Sequence, residues 1–98
     1  MPIKKDWIER NEKNIAEVPE VDGAYELGDE KSEIIYIHGA PNLRQDISQH
    51  LNSDNECLAK ARFFRYENVF QYTLRESELL QQYMRLNKKM PPGNEEII

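Results

Sequence analysis

Gly23-Ala24-Tyr25 and Tyr36-Ile37-His38-Gly39 are the two stretches that decide the fold, and Asn42-Leu43-Arg44 follows them closely. The first stretch opens a segment that alternates as a strand does, and the second ends a returning strand. The polar residues 28–32 between them are typical of a turn. The two segments predict an antiparallel hairpin, which places one tyrosine on each of two neighbouring strands.

The remaining elements follow from caps and periodicity. Asn42 is a typical N-cap for the next helix, and Thr73 with Glu76 fits a capping box that opens the last one. Residues 61–66 alternate as a third strand, and 56–60 suggest a short helical turn. The last helix is expected to bury Leu79, Leu80, Tyr83, Met84 and Leu86. The predicted bounds are strands 23–27, 33–38 and 61–66 and helices 6–17, 42–51 and 73–87.

Length and composition narrow the class of protein. Ninety-eight residues suit one compact domain with a modest core. The formal net charge of −5 argues against a surface that attracts nucleic acid everywhere, so such a contact would need a local basic patch. A single cysteine, Cys57, permits no internal disulfide. With no membrane-length apolar run and no signal-peptide core, we expect a cytoplasmic protein without membrane contact.

The two tyrosine stretches and the Asn-Leu-Arg run resemble the start of the GIY-YIG nuclease superfamily. The resemblance implies an α+β domain with a small three-stranded antiparallel sheet flanked by helices. It divides the chain into an N-terminal helical extension (1–18), a GIY-YIG-like domain (19–94) and a tail (95–98). It also implies phosphodiester hydrolysis through one divalent metal, Mg²⁺ or Mn²⁺, with a tyrosine that helps to activate water and an arginine that stabilises phosphate charge.

Matched residue by residue, Tyr25 and Tyr36 take the places of the two motif tyrosines, and His38 stands where the motif glycine usually is. An ungapped match puts Asp46 at the position of the catalytic arginine. Arg44 is a candidate substitute, although two residues of a helix differ in direction by about 200°, and it is otherwise a surface residue. His50, one turn after Asp46, either faces the site or packs on the apolar side of the helix.

The metal ligand and the end of the domain have weaker matches. Glu78 is the candidate metal ligand, because the capping box already explains Glu76. Its alternative is an ordinary exposed glutamate. Asn94 resembles the asparagine near the end of the family's domain, although Pro-Gly-Asn is also common in turns.

Three cations at the start of the third strand and along it are interleaved with aromatic residues: Lys60, Arg62 and Arg65. They form either a strip that contacts nucleic acid or one solvated face of the strand. Three functions stay open. The chain is a degenerate or weakly active nuclease homologue that binds DNA or RNA, an active metal-dependent endonuclease, or a protein-interaction domain. The replacement of the arginine by Asp46 favours the first.

Overall fold

The computed structural model describes residues 3, 5–52 and 56–97. Its elements, in chain order, are β1 (Ile8–Glu9), α1 (Glu12–Ala16), β2 (Gly23–Gly28), β3 (Ile34–Ala40), α2 (Leu43–Leu51), a 3₁₀ helix (Leu58–Lys60), β4 (Phe63–Asn68), α3 (Tyr72–Asn87) and α4 (Pro92–Ile97). This arrangement confirms the α+β class. None of these helices is long and apolar enough to cross a membrane.

The sheet has four strands in the order β1-β4-β2-β3, and each neighbouring pair is antiparallel. The three predicted strands are present, but the expectation of a three-stranded sheet is wrong by one strand. β1 pairs with β4 through Ile8 opposite Phe64, and it lies where a helix from Asp6 to Glu17 was predicted. Only Glu12–Ala16 of that segment is helical.

The end of the chain also differs from the expectation. Pro92 to Ile97 form α4, where a closing turn and a tail were predicted. Proline is well tolerated in the first turn of a helix, which explains how Pro92 can start one. Residues 53–55, which follow α2, and Ile98, the last residue of the predicted tail, lie outside the described residues.

Each face of the sheet packs against one long helix. Tyr25, Leu27 and Phe64 face α2, whose buried residues Leu43 and Ile47 complete the larger core. The opposite face packs against α3, and the buried residues of this smaller core are Ile3, Ala24, Ile37 and Leu79. The strand β2 is buried along its whole length, because its alternate side chains pack into the two cores on the opposite faces of the sheet.

Of the two predicted helix caps, one is confirmed and one is wrong. The Asn42 side chain accepts from the backbone N–H of Gln45 at 3.1 Å, as predicted for an N-cap. Thr73 does not cap α3, because the helix begins at Tyr72 and Gln71 holds the cap position, two residues earlier, without a side-chain hydrogen bond. On α3 the predicted burial of Met84 and Leu86 is also wrong, since both are exposed.

Candidate functional site

Six polar side chains from four elements meet beside the motif strands, and we call them the histidine–carboxylate cluster. Strands β2 and β3 contribute the tyrosines and one histidine, α2 contributes residues on successive turns, and α3 contributes a glutamate. The members are Tyr25, Tyr36, His38, Asp46, His50 and Glu76. The hairpin register places Tyr25 opposite His38, which brings both to the same face of the sheet.

The Tyr25 hydroxyl donates to Asp46 Oδ2 at 2.7 Å and lies 3.1 Å from His50 Nδ1. The tyrosine is fully buried, and burial together with the nearby Asp46 charge raises its pKa above the ordinary value. Burial likewise raises the pKa of Tyr36, with Asp46 and Glu76 adding to the effect. Both hydroxyls therefore stay protonated at neutral pH and are not phenolates.

Asp46 and His50 form a pair one helical turn apart. His50 Nδ1 donates to the Asp46 carbonyl oxygen at 2.9 Å and lies 3.3 Å from Oδ2, while its Nε2 is 3.2 Å from the Tyr36 hydroxyl. The hydrogen bond to the Asp46 carboxylate raises the pKa of His50 against the opposing effect of burial. Burial acts to raise the pKa of Asp46, but hydrogen bonds from His50 and Tyr25 and the charge of His38 bring it below the ordinary value.

His38 and Glu76 form a second pair at the solvent side of the cluster. His38 Nδ1 is 2.7 Å from Glu76 Oε1, and its Nε2 is 3.6 Å from Asp46 Oδ2. The same Glu76 oxygen accepts from the backbone N–H of Gly39 at 3.1 Å. The His38 side chain is 35% exposed, against 20% for Asp46, so His38 is the member that a ligand would meet first.

Glycine is needed at position 39 rather than at 38. Neither residue has a positive φ, so histidine causes no backbone strain in place of the motif glycine. A Cβ at Gly39 would lie 2.5 Å from the Tyr72 carbonyl oxygen at the start of α3. This close approach of strand and helix is what lets Glu76 reach the backbone of β3.

Of the catalytic residues predicted from sequence, Tyr25, Tyr36 and His50 come together and Arg44 does not. Arg44 Nε donates to the Val18 carbonyl oxygen at 2.6 Å, and its Nη1 is 3.9 Å from the Glu20 carboxylate. Arg44 and Asp46 are two residues apart on α2, so their side chains differ in direction by about 200°, and this keeps Arg44 away from the cluster. Asp46 itself lies within the cluster, as the ungapped match predicts.

The predicted metal ligand, Glu78, is exposed on α3, and no hydrogen bond or ion pair among the described residues joins it to the cluster. Glu76, two positions earlier, lies there instead. Sequence reasoning missed Glu76 because the capping box accounted for it, and it did not place the His38 side chain among the site residues. The signal that could have found both is Gly39 itself, since a glycine after the motif allows α3 to approach the strand.

The three predicted nucleic-acid residues do not form one strip. Lys60 and Arg62 are exposed near the turn between β2 and β3, beside its acidic residues. Arg65 lies on the α3 face of the sheet, where its Nε donates to the buried Glu26 carboxylate at 2.6 Å. Of these three cations, only Lys60 and Arg62 are therefore available to a large anionic partner.

The donor set of the cluster does not match a preformed metal site. Within residues 3, 5–52 and 56–97, no group of three or more histidine, cysteine, aspartate or glutamate side chains is arranged to hold a metal ion. One Glu76 oxygen already accepts from both His38 and Gly39. What the cluster offers is two carboxylate–imidazole pairs in a half-buried setting, which is a proton-handling arrangement.

The sheet, its flanking helices and the tyrosine pair on the first hairpin define a GIY-YIG-like fold. The chain is similar to the GIY-YIG N-terminal endonuclease domain of UvrC from Thermotoga maritima bound to its catalytic divalent cation, magnesium, with 24% identity, a TM-score of 0.64 and coverage of 76% of this chain and 93% of that domain. An asparagine-to-alanine point mutant of the same domain, also bound to its cation, gives 24% identity, a TM-score of 0.64 and coverage of 76% and 92%. At this identity the likeness shows the fold.

A family model described as "Domain of unknown function (DUF7508)" matches residues 1–85, and the chain belongs to that family. A search of curated proteins gives no match. The matched range includes β1 and α1 together with the tyrosine hairpin. It ends within α3, before Asn94.

Proposed function

We propose that the chain is a degenerate GIY-YIG nuclease homologue that contacts nucleic acid and cleaves it weakly or not at all. The observation that carries this proposal is Asp46, a carboxylate at the position where the resemblance calls for arginine. Phosphodiester cleavage needs positive charge where the phosphate develops negative charge, and a carboxylate there has the opposite effect. The hydrogen bonds from Tyr25 and His50 hold Asp46 ionised in this position.

The state of the tyrosines supports the same proposal. A tyrosine that activates water must accept its proton, but burial raises the pKa of Tyr25 and its hydroxyl already donates to Asp46. Glu76, the carboxylate that would hold a cation, is engaged by His38 at 2.7 Å. Water activation and metal binding would each require an existing contact to break.

Contact with nucleic acid would fall to Lys60 and Arg62, because both are exposed. Two phosphate contacts give weak, salt-sensitive binding, with a slope in log K against log salt of about 2 or smaller in magnitude. Replacing both residues by alanine should remove this salt dependence. Arg44→Ala is the matched control, since Arg44 is also a partly exposed arginine but is held by Val18 and Glu20.

The cleavage test compares wild type, Asp46→Arg and Gln49→Arg on labelled duplex, branched and single-stranded DNA and RNA, with Mg²⁺ or Mn²⁺ at fixed salt. We expect no robust cutting by wild type. Asp46→Arg should bind more tightly and gain weak metal-dependent cleavage, whereas Gln49→Arg adds an exposed arginine on the same helix outside the cluster. Robust cutting by wild type would refute degeneracy, and absence of binding by every variant would favour a protein-interaction domain.

One observation favours the second candidate, an active divalent-metal endonuclease. His50 has a raised pKa, and its ring centre is 5.5 Å from that of His38, so imidazolium charge beside Asp46 could replace the arginine. This candidate requires metal-dependent cutting that is strongest at acidic pH and is lost in His50→Gln. Glu76→Gln should abolish such cutting, while Glu78→Gln should leave it intact because Glu78 lies outside the cluster.

A further inference from the structure

A group of exposed cations lies at the C-terminal end of α3, and we call it the basic helix end. Its members are Arg85, Lys88 and Lys89. Within residues 3, 5–52 and 56–97, no ion pair joins any of the three to a carboxylate. The whole chain has a formal net charge of −5, so this group is a local exception to an acidic surface. The function proposed above uses none of these side chains.

Lys88 occupies a backbone position that lysine does not favour. It is the C-cap of α3, with φ 64° and ψ 16° in the left-handed region, and its N–H donates to the Met84 carbonyl oxygen at 2.8 Å. Glycine is the usual residue at such a helix end, because a side chain makes this conformation costly. A cation also complements the helix dipole here, but Arg85 in the last turn already does so. Such an outlier is expected where the side chain has a binding role.

An exposed apolar side chain accompanies the cations. Leu86 has 78% of its surface exposed and borders the groove between α3 and the strands β2 and β3. Lys89 borders the same groove. Cations beside an exposed apolar side chain suit a partner that presents both anionic groups and apolar faces. Single-stranded nucleic acid is such a partner, because its bases are not enclosed by pairing.

The turn between β2 and β3 separates the basic helix end from the cations already assigned to nucleic acid. Its Glu33 borders the groove that reaches Lys89 and also the depression beside Lys60 and Arg62. A strand of nucleic acid that crosses this turn would therefore meet cations on both sides of it. The carboxylates of the turn disfavour a wide anionic partner, such as a duplex or a membrane, because exposed charges act over about 10 Å at about 0.1 M salt.

We propose that the basic helix end binds the phosphates of single-stranded DNA or RNA and that Leu86 contacts an unstacked base. This proposal rests on the nucleic-acid contact proposed above and adds three phosphate contacts to those of Lys60 and Arg62. For single strands each contact contributes about 0.7 to the slope of log K against log salt, so five contacts give about 3.5 in magnitude. The two contacts at Lys60 and Arg62 account for about 1.4 of this.

Lys88→Gly separates binding from stability, because glycine suits the left-handed C-cap. Its thermal midpoint should rise by about 2–5 °C. Its affinity for labelled oligothymidylate, measured by fluorescence anisotropy at about 50 mM salt, should fall about threefold or more. Lys13→Gln is the matched control, since it removes one exposed charge from α1, whose Ile15 packs on the α2 side of the sheet. Equal binding by the two variants would overturn the proposal, and a lower midpoint in Lys88→Gly would make Lys88 structural.

The salt dependence tests the basic helix end as a whole. Replacing Arg85, Lys88 and Lys89 together by glutamine should lower the slope by about 2 in magnitude, once circular dichroism has established that the variant is folded. An unchanged slope would overturn the basic helix end without affecting the contact at Lys60 and Arg62, which its own alanine variant tests. No binding of oligothymidylate by wild type would overturn both contacts, while the cleavage test would still decide the degeneracy of the cluster.

Leu86 and the choice of partner have their own tests. Leu86→Ala should weaken binding of oligothymidylate about twofold or more with an unchanged slope. Leu74→Ala should bind as wild type does, because Leu74 is exposed at the other end of α3. Equal binding by these two variants would overturn the base contact. Wild type should prefer the single strand to its duplex with oligodeoxyadenylate. Tighter binding to the duplex, or binding only to phosphatidylglycerol vesicles, would overturn the choice of partner.

Discussion

Asn94 offers the clearest quantitative test of the fold. Its side chain is 6% exposed and makes two hydrogen bonds to one residue of the edge strand β3: Oδ1 accepts from Ile37 N–H at 2.9 Å, and Nδ2 donates to Ile37 C=O at 2.8 Å. Asn94→Ala removes both partners and leaves two buried main-chain groups unsatisfied. Each such group costs about 1–3 kcal/mol, so allowing for partial entry of water we expect a loss of about 2–4 kcal/mol.

Urea unfolding followed by circular dichroism measures this loss. With a slope of about 1.5 kcal/mol per molar urea, the midpoint should fall by about 1.3–2.7 M. Asn87→Ala is the matched control, because Asn87 is exposed at the end of α3 and should change stability by less than about 0.5 kcal/mol. If both variants shift the midpoint equally, Asn94 does not hold α4 against β3 and the reasoning fails.

Three further variants test local features. His50→Gln should be pH-dependent: the folded pKa of His50 is raised by Asp46, so its stabilising contribution is complete below about pH 6.5 and is lost as pH rises through the folded pKa. The loss measured by urea unfolding should therefore be larger at about pH 5.5 than at about pH 9, and the reverse order would contradict the pairing. Gly39→Ala should destabilise by about 1–3 kcal/mol in thermal unfolding because its Cβ would meet the Tyr72 carbonyl oxygen, and an unchanged midpoint would show that α3 can move away. Thr73→Ala should cost less than about 0.5 kcal/mol, since Thr73 is exposed and makes no cap bond; a loss above about 1 kcal/mol would restore the capping box.

The elements that the sequence predicts well are those with a local signal. The hairpin follows from alternation around a polar turn, and α2 follows from the Asn42 cap and the spacing of Leu43, Ile47 and Leu51. The two-residue strand β1 has too few residues to show alternation, so the neighbouring helical residues dominated the prediction. A short strand of this kind is decided by what it pairs with, here β4.

The candidate site was only half predictable for a similar reason. Counting along the chain from Tyr36 leads to Asp46 and His50, and both lie in the cluster because they are on a helix whose start is fixed by its cap. The choice between Glu76 and Glu78 depends on how α3 approaches β3, which is a tertiary contact set at Gly39. No local pattern contains that information.

The covering of the two edges of the sheet affects the tendency of the protein to aggregate at high concentration. Unpaired edge strands invite pairing with another molecule and so promote aggregation. At one border β1 occupies the outer side of β4, and at the other the Asn94 amide takes the place of a neighbouring strand at Ile37. These two features are far apart in the chain, and each pairs with the outer side of the sheet at one of its two ends, β4 or β3, where another molecule could otherwise add a strand.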